Sequence, residues 1–263
     1  MNSDRYQRIL ALLRDHGRVS GRDLQSKLGV TAMTVWRDLR VLEEQGLLRR
    51  IRGGAESIGR AAGEPDFEAK ATSAHAAKMR IAACAVAAFV RPGDTLALEG
   101  GTSVAALAYH LPEEKVSILT NSLPVAIHLR KHRPALPLRI IGGWVSPISG
   151  NATGPDALKA IHSQSASVCF LSATGFDAER GPTDPNPLEI EVKRALAEIS
   201  RRVVLLLDSS KFGRGAAAIT LHPKRIHALV TDAPPPRAIA QRLRAHGTAV
   251  VIAPPAAAPS RNR

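Results

Sequence analysis

Aromatic side chains make up only 3% of this 263-residue chain: two Trp, two Tyr and five Phe. Single-stranded nucleic acid and RNA loops are usually gripped by clustered rings on which bases stack, and no such cluster can be assembled here. Cysteine is scarcer still. Cys84 and Cys169 lie in apolar runs, AACAVAAF and SVCFLSA, where a thiol acts as a small core residue. Neither a disulfide framework nor metal-ligand spacing is present, and no metal or cofactor is expected. Long apolar runs are missing too: none reaches the roughly 18 residues of a membrane span. The first ten residues, MNSDRYQRIL, put charges where a secretory signal needs an apolar core. The expectation is a cytoplasmic protein with no membrane partner.

Acids are absent from one stretch. Residues 237–263 hold five arginines and no Asp or Glu, residues 1–55 hold 11 Lys+Arg against 6 Asp+Glu, and residues 56–236 hold 20 against 17. The net charge of +13 therefore divides along the chain as +5, +3 and +5. A basic excess at the N-terminus suits a phosphate backbone. Hydrophobic residues, at 44%, supply a sizeable core, and the length allows two domains.

Ser3 or Asp4 is placed to cap a first helix running to about His16, with Ile9, Leu10, Leu12 and Leu13 on its apolar face and Gly17 as its stop. Ser20 opens a short second helix, GRDLQSKL, that ends at Gly29, and Thr31 caps a third. In the third, Ala32, Val35, Leu39 and Leu42 recur at spacings of 3, 4 and 3 and make one apolar stripe. Met33, Thr34, Trp36, Arg37 and Arg40 are left on the other faces. A large aromatic beside two arginines is an odd thing to give to water, which marks the helix as a nucleic-acid reading element. Gly46 ends it. Alternation over Leu47–Ile51 then gives a β-wing whose Arg49, Arg50 and Arg52 can reach phosphates or a minor groove. Two helices joined by a tight turn are the helix-turn-helix order, in which the second enters a major groove.

Residues Thr34-Val35-Trp36-Arg37-Asp38-Leu39 after Thr31, and Gly46-Leu47-Leu48-Arg49-Arg50-Ile51-Arg52-Gly53-Gly54-Ala55, resemble the winged helix-turn-helix of DeoR-family bacterial transcriptional regulators. Its pattern is a Ser or Thr, two residues, T-[IV]-R-R-D-L, and later G-x-L-x-R-x-H-G-G-A. Trp36 stands where the family has its first arginine, so an arginine fork on guanine is not available there. Its ring is left to contact a thymine methyl or sugar, or to pack under the wing. Arg52 stands in place of the family's histidine and keeps a phosphate contact within reach. The expected DNA-binding set is Ser20, Thr31, Met33, Thr34, Trp36, Arg37 and Arg40 from the helices and Arg49, Arg50 and Arg52 from the wing. Asp38 is read as the residue that orients a neighbouring arginine.

The expected domains are 1–56 (DNA-binding), 57–70 (linker), 71–253 (sensor) and 254–263 (a disordered, Pro- and Ala-rich tail). A long alanine-rich helix is read over Thr72 to Val90. Beyond it, strands at 95–98, 116–119, 138–141, 167–171, 202–207, 226–231 and 249–252 alternate with helices at 102–110, 123–132, 155–163, 188–200 and 236–246. That rhythm argues a doubly wound, mostly parallel α/β sheet, whose ligands gather at the carboxyl ends of its strands. Three such ends carry small and hydroxylated residues able to present backbone amides to an anion: Gly101-Thr102-Ser103, Thr120-Asn121-Ser122 and Gly142-Gly143. Gly175 and Asp177 fall in a long loop after Leu171, Glu189 heads the next helix, and Asp208 and Lys211 end the most apolar strand, where a lysine is a natural phosphate partner.

These segments also resemble the DeoR family, in its C-terminal sensor domain. Gly101 to Ser103, Thr120 to Ser122, Gly142-Gly143, Gly175-Phe176-Asp177, Glu189 to Arg194 and Asp208 to Gly213 match its motifs. Glu99 replaces an Asp, and Ser172-Ala173-Thr174 replaces Gly-Ala-Asp. The resemblance implies a fold similar to ribose-5-phosphate isomerase and a phosphorylated-sugar effector. The reading is a DNA-binding regulator, a repressor released by that effector and acting at an operator as at least a dimer. Its competitor is a sugar-phosphate isomerase or deaminase-like enzyme with an accessory DNA-binding domain, using Asp208, Glu189 and Lys211 as acid–base groups. A sensor needs only the pocket, so no catalytic residue is assigned.

Overall fold

The computed structural model describes residues 2–16, 18–44, 47–57, 67–113 and 115–255. The chain divides into two compact units, Met1–Pro65 and Asp66–Arg263.

The first unit runs α1 (Asn2–His16), β1 (Arg18–Ser20), α2 (Gly21–Leu28), α3 (Ala32–Glu44), β2 (Leu48–Ile51) and β3 (Gly54–Ser57). The first helix begins at Asn2, ahead of the expected caps Ser3 and Asp4. The stops expected at Gly17 and Gly46 lie outside the described residues. Ser20 caps α2, accepting the Asp23 amide, and Gly29 closes it in the left-handed region at φ 66°. Ile9, Leu13, Leu24, Val35, Leu39, Leu42 and Leu48 form the core. Ala32, expected on that stripe, is exposed, because the helix starts there before its axis reaches the core. One strand escaped the sequence: β1 pairs antiparallel with β3, making a three-stranded sheet of order β1-β3-β2. Three residues with one buried side chain, Val19, are too few for a period-2 signal.

The second unit holds α4 (Phe67–Thr72), α5 (His75–Phe89), β4 (Thr95–Leu98), α6 (Thr102–Ala105), β5 (Ser117–Thr120), α7 (Leu123–His132), β6 (Leu138–Ile140), β7 (Trp144–Val145), β8 (Ala152–Thr153), α8 (Pro155–His162), β9 (Ala166–Leu171), β10 (Gly175–Asp177), β11 (Gly181–Asp184), α9 (Pro187–Glu198), β12 (Ser200–Leu206), β13 (Ala218–Ile219), β14 (Ala228–Thr231), α10 (Arg237–Ala245) and β15 (Ala249–Ile252). Its main sheet is parallel throughout, in the order β15-β14-β12-β9-β4-β5-β6. Side chains alternate between two cores as the pleat requires: Leu96, Leu98, Val168, Phe170, Val204 and Leu206 face one layer, Ala97, Cys169, Leu171, Val203 and Leu205 the other. The first core is closed by α5 and α7, the second by α8, α9 and α10.

Three expectations need correction here. The long helix is two, broken at Ala74, which takes φ 53°. The expected linker loses its ends: Ser57 belongs to β3 and Phe67–Thr72 is helical, while 58–66 lie outside the described residues, as do 256–263 of the expected tail. The loop after Leu171 is not a loop; β10, β11 and β13 form a small antiparallel sheet. Each of its strands is four residues or shorter, and β10 and β11 are rich in Gly, Pro and Asp, which reads as turn chemistry.

Candidate functional site

The first unit presents one face of α3. Val35, Asp38, Leu39 and Leu42 are buried, whereas Met33 is 73% and Trp36 37% exposed. Arg37 is exposed and has no ion pair or hydrogen bond among the described residues. Arg40 reaches only Glu44, one turn on, at 3.7 Å. Thr31 caps the helix, its Oγ1 accepting the Thr34 amide at 3.3 Å. Asp38 does hold an arginine, but it is Arg5 of α1: Arg5 Nη2 donates to Oδ1 at 2.9 Å and Nε to Oδ2. This pair fixes α1 against the back of α3. Trp36 leans toward the wing. A Cβ placed on Gly21 would lie 3.6 Å from Trp36 Cζ2 and 3.4 Å from the Gly53 carbonyl.

The wing arginines divide. Arg49 and Arg18 share Glu56, whose carboxyl is held below its ordinary pKa by hydrogen bonds from both. Arg50 donates to Glu43 from its backbone amide (2.8 Å) and from Nε (2.5 Å). Neither is free to reach DNA: Glu56 holds Arg49 across the hairpin, and Glu43, near the end of α3, holds Arg50. Arg52, at the hairpin tip beside Gly53 (φ 88°), has no such partner among the described residues.

In the second unit the sheet order changes direction between β4 and β9, the switch point where α/β folds open a crevice. Glu99, immediately after β4, accepts from the amides of Gly101 (3.1 Å) and Ser172 (3.2 Å) and from Ser172 Oγ (3.1 Å). The Lys193 ammonium, on α9, lies 3.5 Å from Glu99 and donates to Asp184 (2.7 Å) and the Ser172 carbonyl (3.0 Å). Burial alone would lower the pKa of Lys193; Asp184 and Glu99 outweigh it and hold the ammonium charged. Asp184 also accepts Thr220 Oγ1 at 2.7 Å and both Thr174 N and Oγ1 at 2.9 Å. The small antiparallel sheet therefore serves to deliver Asp184 to this network.

Glu189 stands one turn before Lys193 and takes a hydrogen bond from Ser149 Oγ at 2.6 Å. Surrounding protein raises its pKa above the ordinary carboxylate range, the Ser149 hydroxyl and Lys193 oppose that shift, and Glu99 and Asp184 add to it. The side chain still touches solvent. Asn121 donates Nδ2 to the Ala152 carbonyl at 3.0 Å, and Asn151 lies on Gly100, where any Cβ would overlap its amide. The Oδ1 atoms of both asparagines are buried without a partner.

Of the expected effector residues, Gly101, Thr102, Ser103, Thr120, Asn121, Ser122 and Glu189 are drawn around this switch point. The Thr120–Ser122 turn spends its amides internally, however: Ser122 N donates to Thr120 Oγ1, Leu123 N to Gly150 O and Val125 N to Ser122 Oγ. It is no backbone cradle for an anion. Gly142 and Gly143 connect β6 to β7, Gly143 abutting the Thr153 carbonyl. Gly175 starts β10. Asp177 is half-buried and caps a turn, accepting the Glu179 and Arg180 amides. Asp208 is buried at the end of β12 and accepts the Ser210 amide at 3.1 Å. Beside it, burial lowers the pKa of Lys78, an effect that Asp208 opposes and Lys211 and Lys70 reinforce. Lys193 at i+4 from Glu189 was legible as a helical pair; Ser149, Asn151 and Asp184 had no signal beyond turn-forming composition. Surface concavities of about 500 Å³ (around Arg194 and Arg225) and about 290 Å³ (around Asp94 and Lys115) lie elsewhere.

A family model described as the DeoR-like helix-turn-helix domain matches residues 5–61, and one described as the DeoR C terminal sensor domain matches residues 73–233. The chain belongs to the DeoR family. Among family relatives, it is 34% identical over 247 residues to the glycerol-3-phosphate regulon repressor of Escherichia coli, covering 93% of this chain and 96% of the relative. It is 31% identical over 251 residues to the uncharacterized HTH-type transcriptional regulator YgbI of the same organism, covering 95% and 97%. A putative aga operon transcriptional repressor of Escherichia coli O157:H7 is 30% identical over 254 residues, covering 95% and 93%. Of solved structures, the ribose 5-phosphate isomerase A of Methanocaldococcus jannaschii is similar over 53% of this chain and 55% of its own, with 16% identity and a TM-score of 0.40. As a DeoR-family chain, this protein pairs a DNA-binding winged helix-turn-helix with an α/β sensor domain. No described helix is long and apolar enough to cross a membrane.

Proposed function

We propose that this protein is a repressor that binds a double-stranded operator through α3 and the wing and is released by a phosphorylated sugar or polyol held at the carboxyl edge of the main sheet. The observation that carries the DNA half is the face of α3: Met33, Trp36 and Arg37 are offered outward while Val35, Asp38, Leu39 and Leu42 of the same helix are buried. Arg37 and Arg52 are the free cations of that surface, and Met33 and Trp36 its apolar contacts for base edges or sugars. On the sensor side Lys211, whose ammonium has no ion pair or hydrogen bond among the described residues, is the phosphate partner. The relative named for the glycerol-3-phosphate regulon supports an effector of this class.

A repressor needs two readers for a palindromic site, and α7 offers a surface for a second copy. Leu123 and Ile127 (69% exposed) lie one turn apart on it, with Tyr109, Trp144 and Val145 also exposed.

The test is operator binding by fluorescence anisotropy with DNA from the chain's own promoter region. Arg37→Ala is expected to weaken binding by about 1–3 kcal/mol, and millimolar sugar phosphates to release the wild type. No binding at low salt, or release by none of a panel of pentose, hexose and triose phosphates, refutes the corresponding half.

A further inference from the structure

We infer that Asn121, Asn151 and Glu189 form a hydroxyl-reading subsite, taking the polyol end of the effector beneath the hairpin turn at residues 146–151, apart from its phosphate. The inference rests on the effector class proposed above and assigns a part of that molecule to a place.

Two buried carbonyl oxygens without donors are costly, and each such group in a folded protein calls for an explanation. Asn121 cannot escape by flipping its amide, because Nδ2 already donates to Ala152 O and a flip would set oxygen against oxygen. Its Oδ1 is therefore fixed as an acceptor, and the Oδ1 of Asn151 is likewise buried without a partner. A phosphate dianion has only acceptors to offer; a sugar or polyol has hydroxyl protons. Glu189 adds a third acceptor, because Ser149 occupies Oε1 alone.

The charge around this spot points the same way. Its neighbours are Glu99, Asp184 and Glu189 against one ammonium, Lys193, which those acids already hold. Such a setting repels a dianion and tolerates hydroxyls. The cation that suits a phosphate, Lys211, follows the end of β12, two strands from β4, or about 10 Å at the usual strand spacing; Lys78 nearby is buried and donates to the Lys70 and Ser73 carbonyls. What covers the acceptors is the 146–151 turn. It is held to α9 by the Ser149–Glu189 hydrogen bond, to α7 by Leu123 N donating to Gly150 O, and to the Thr120–Ser122 turn by the Ser122–Asn151 bridge.

The experiment is a thermal-shift comparison of wild type, Glu189→Met and Asn151→Ala, using ribose 5-phosphate, glucose 6-phosphate, glycerol 3-phosphate, their dephosphorylated forms, methyl phosphate and inorganic phosphate. At least one hydroxylated compound is expected to raise the wild-type Tm, and that shift to fall at least tenfold in apparent affinity in both variants. Methyl phosphate should act alike on all three proteins. Without ligand, Glu189→Met is expected to melt about 2–4 °C higher, since it removes a desolvated carboxyl kept for binding. A purely structural Glu189 would give a lower Tm. Shifts by sugar phosphates that survive both variants overturn this inference and leave the proposed effector class standing. Shifts by free polyols alone, lost in the variants, sustain it and remove the phosphate from the proposed function. No hydroxyl-dependent shift in the wild type overturns it outright.

Discussion

Lys193 sits between two buried carboxylates, and its removal leaves both uncompensated. Lys193→Met is expected to cost about 3–5 kcal/mol, read as a lower midpoint in urea denaturation. Glu189 behaves in the opposite sense. Its folded pKa lies above its ordinary 4.5, so the stability it contributes is complete below about pH 4.5 and is lost as pH rises through the folded value. Glu189→Gln escapes that loss. Its stability advantage over wild type should be absent near pH 4 and grow toward pH 8, and an advantage independent of pH would show that Glu189 is not the titrating group. Neither role is visible in the sequence, where Glu189 and Lys193 are an ordinary i, i+4 pair. Their acid partners Glu99 and Asp184 arrive from strand ends about 90 residues before and 9 before Lys193, a juxtaposition that only the sheet order creates.

Among the elements, those with long periodic patterns were legible and those built from two to four residues were not. The seven parallel strands and their helices follow from apolar runs of ordinary length. The strand β1, the β7–β8 hairpin and the β10-β11-β13 sheet do not, because two to four residues are too few for a period-2 signal, and the Gly, Pro and Asp of β10 and β11 carry the composition of turns. The same limit hid the site: Ser149 and Asn151 belong to the turn between β7 and β8. Burial of the reading helix was legible from its stripe, while the capture of Arg49 by Glu56 depends on hairpin register and that of Arg50 by Glu43 on the packing of the wing against α3. The hairpin also makes a test. A Cβ on Gly54 would overlap the Val19 carbonyl across the β1–β3 pair, and this is backbone, which cannot swing aside. Gly54→Ala should destabilise the N-terminal unit by about 1–3 kcal/mol, seen as earlier loss of hydrogen-exchange protection in residues 18–57 than in the parallel sheet.

For the whole molecule, operator affinity is expected to fall steeply with salt, and each phosphate contact removed to lower the slope of log K against log salt by about 0.9. Ile127→Asp, placed in the middle of the exposed face of α7, is expected to leave folding intact and shift the sedimentation profile toward monomer, with a matching loss of operator affinity; an unchanged profile moves the self-association surface elsewhere. The wing has a further consequence. Gly21, the first residue of α2, donates its amide to the Gly53 carbonyl at 2.7 Å, so the hairpin tip is tied to the helix that leads into α3. Groove reading and wing contact are thus set at one fixed pitch, like two teeth cut on a single key. An operator lengthened by one base pair between the two footprints would have to give up one of them, since the protein has no joint there with which to follow.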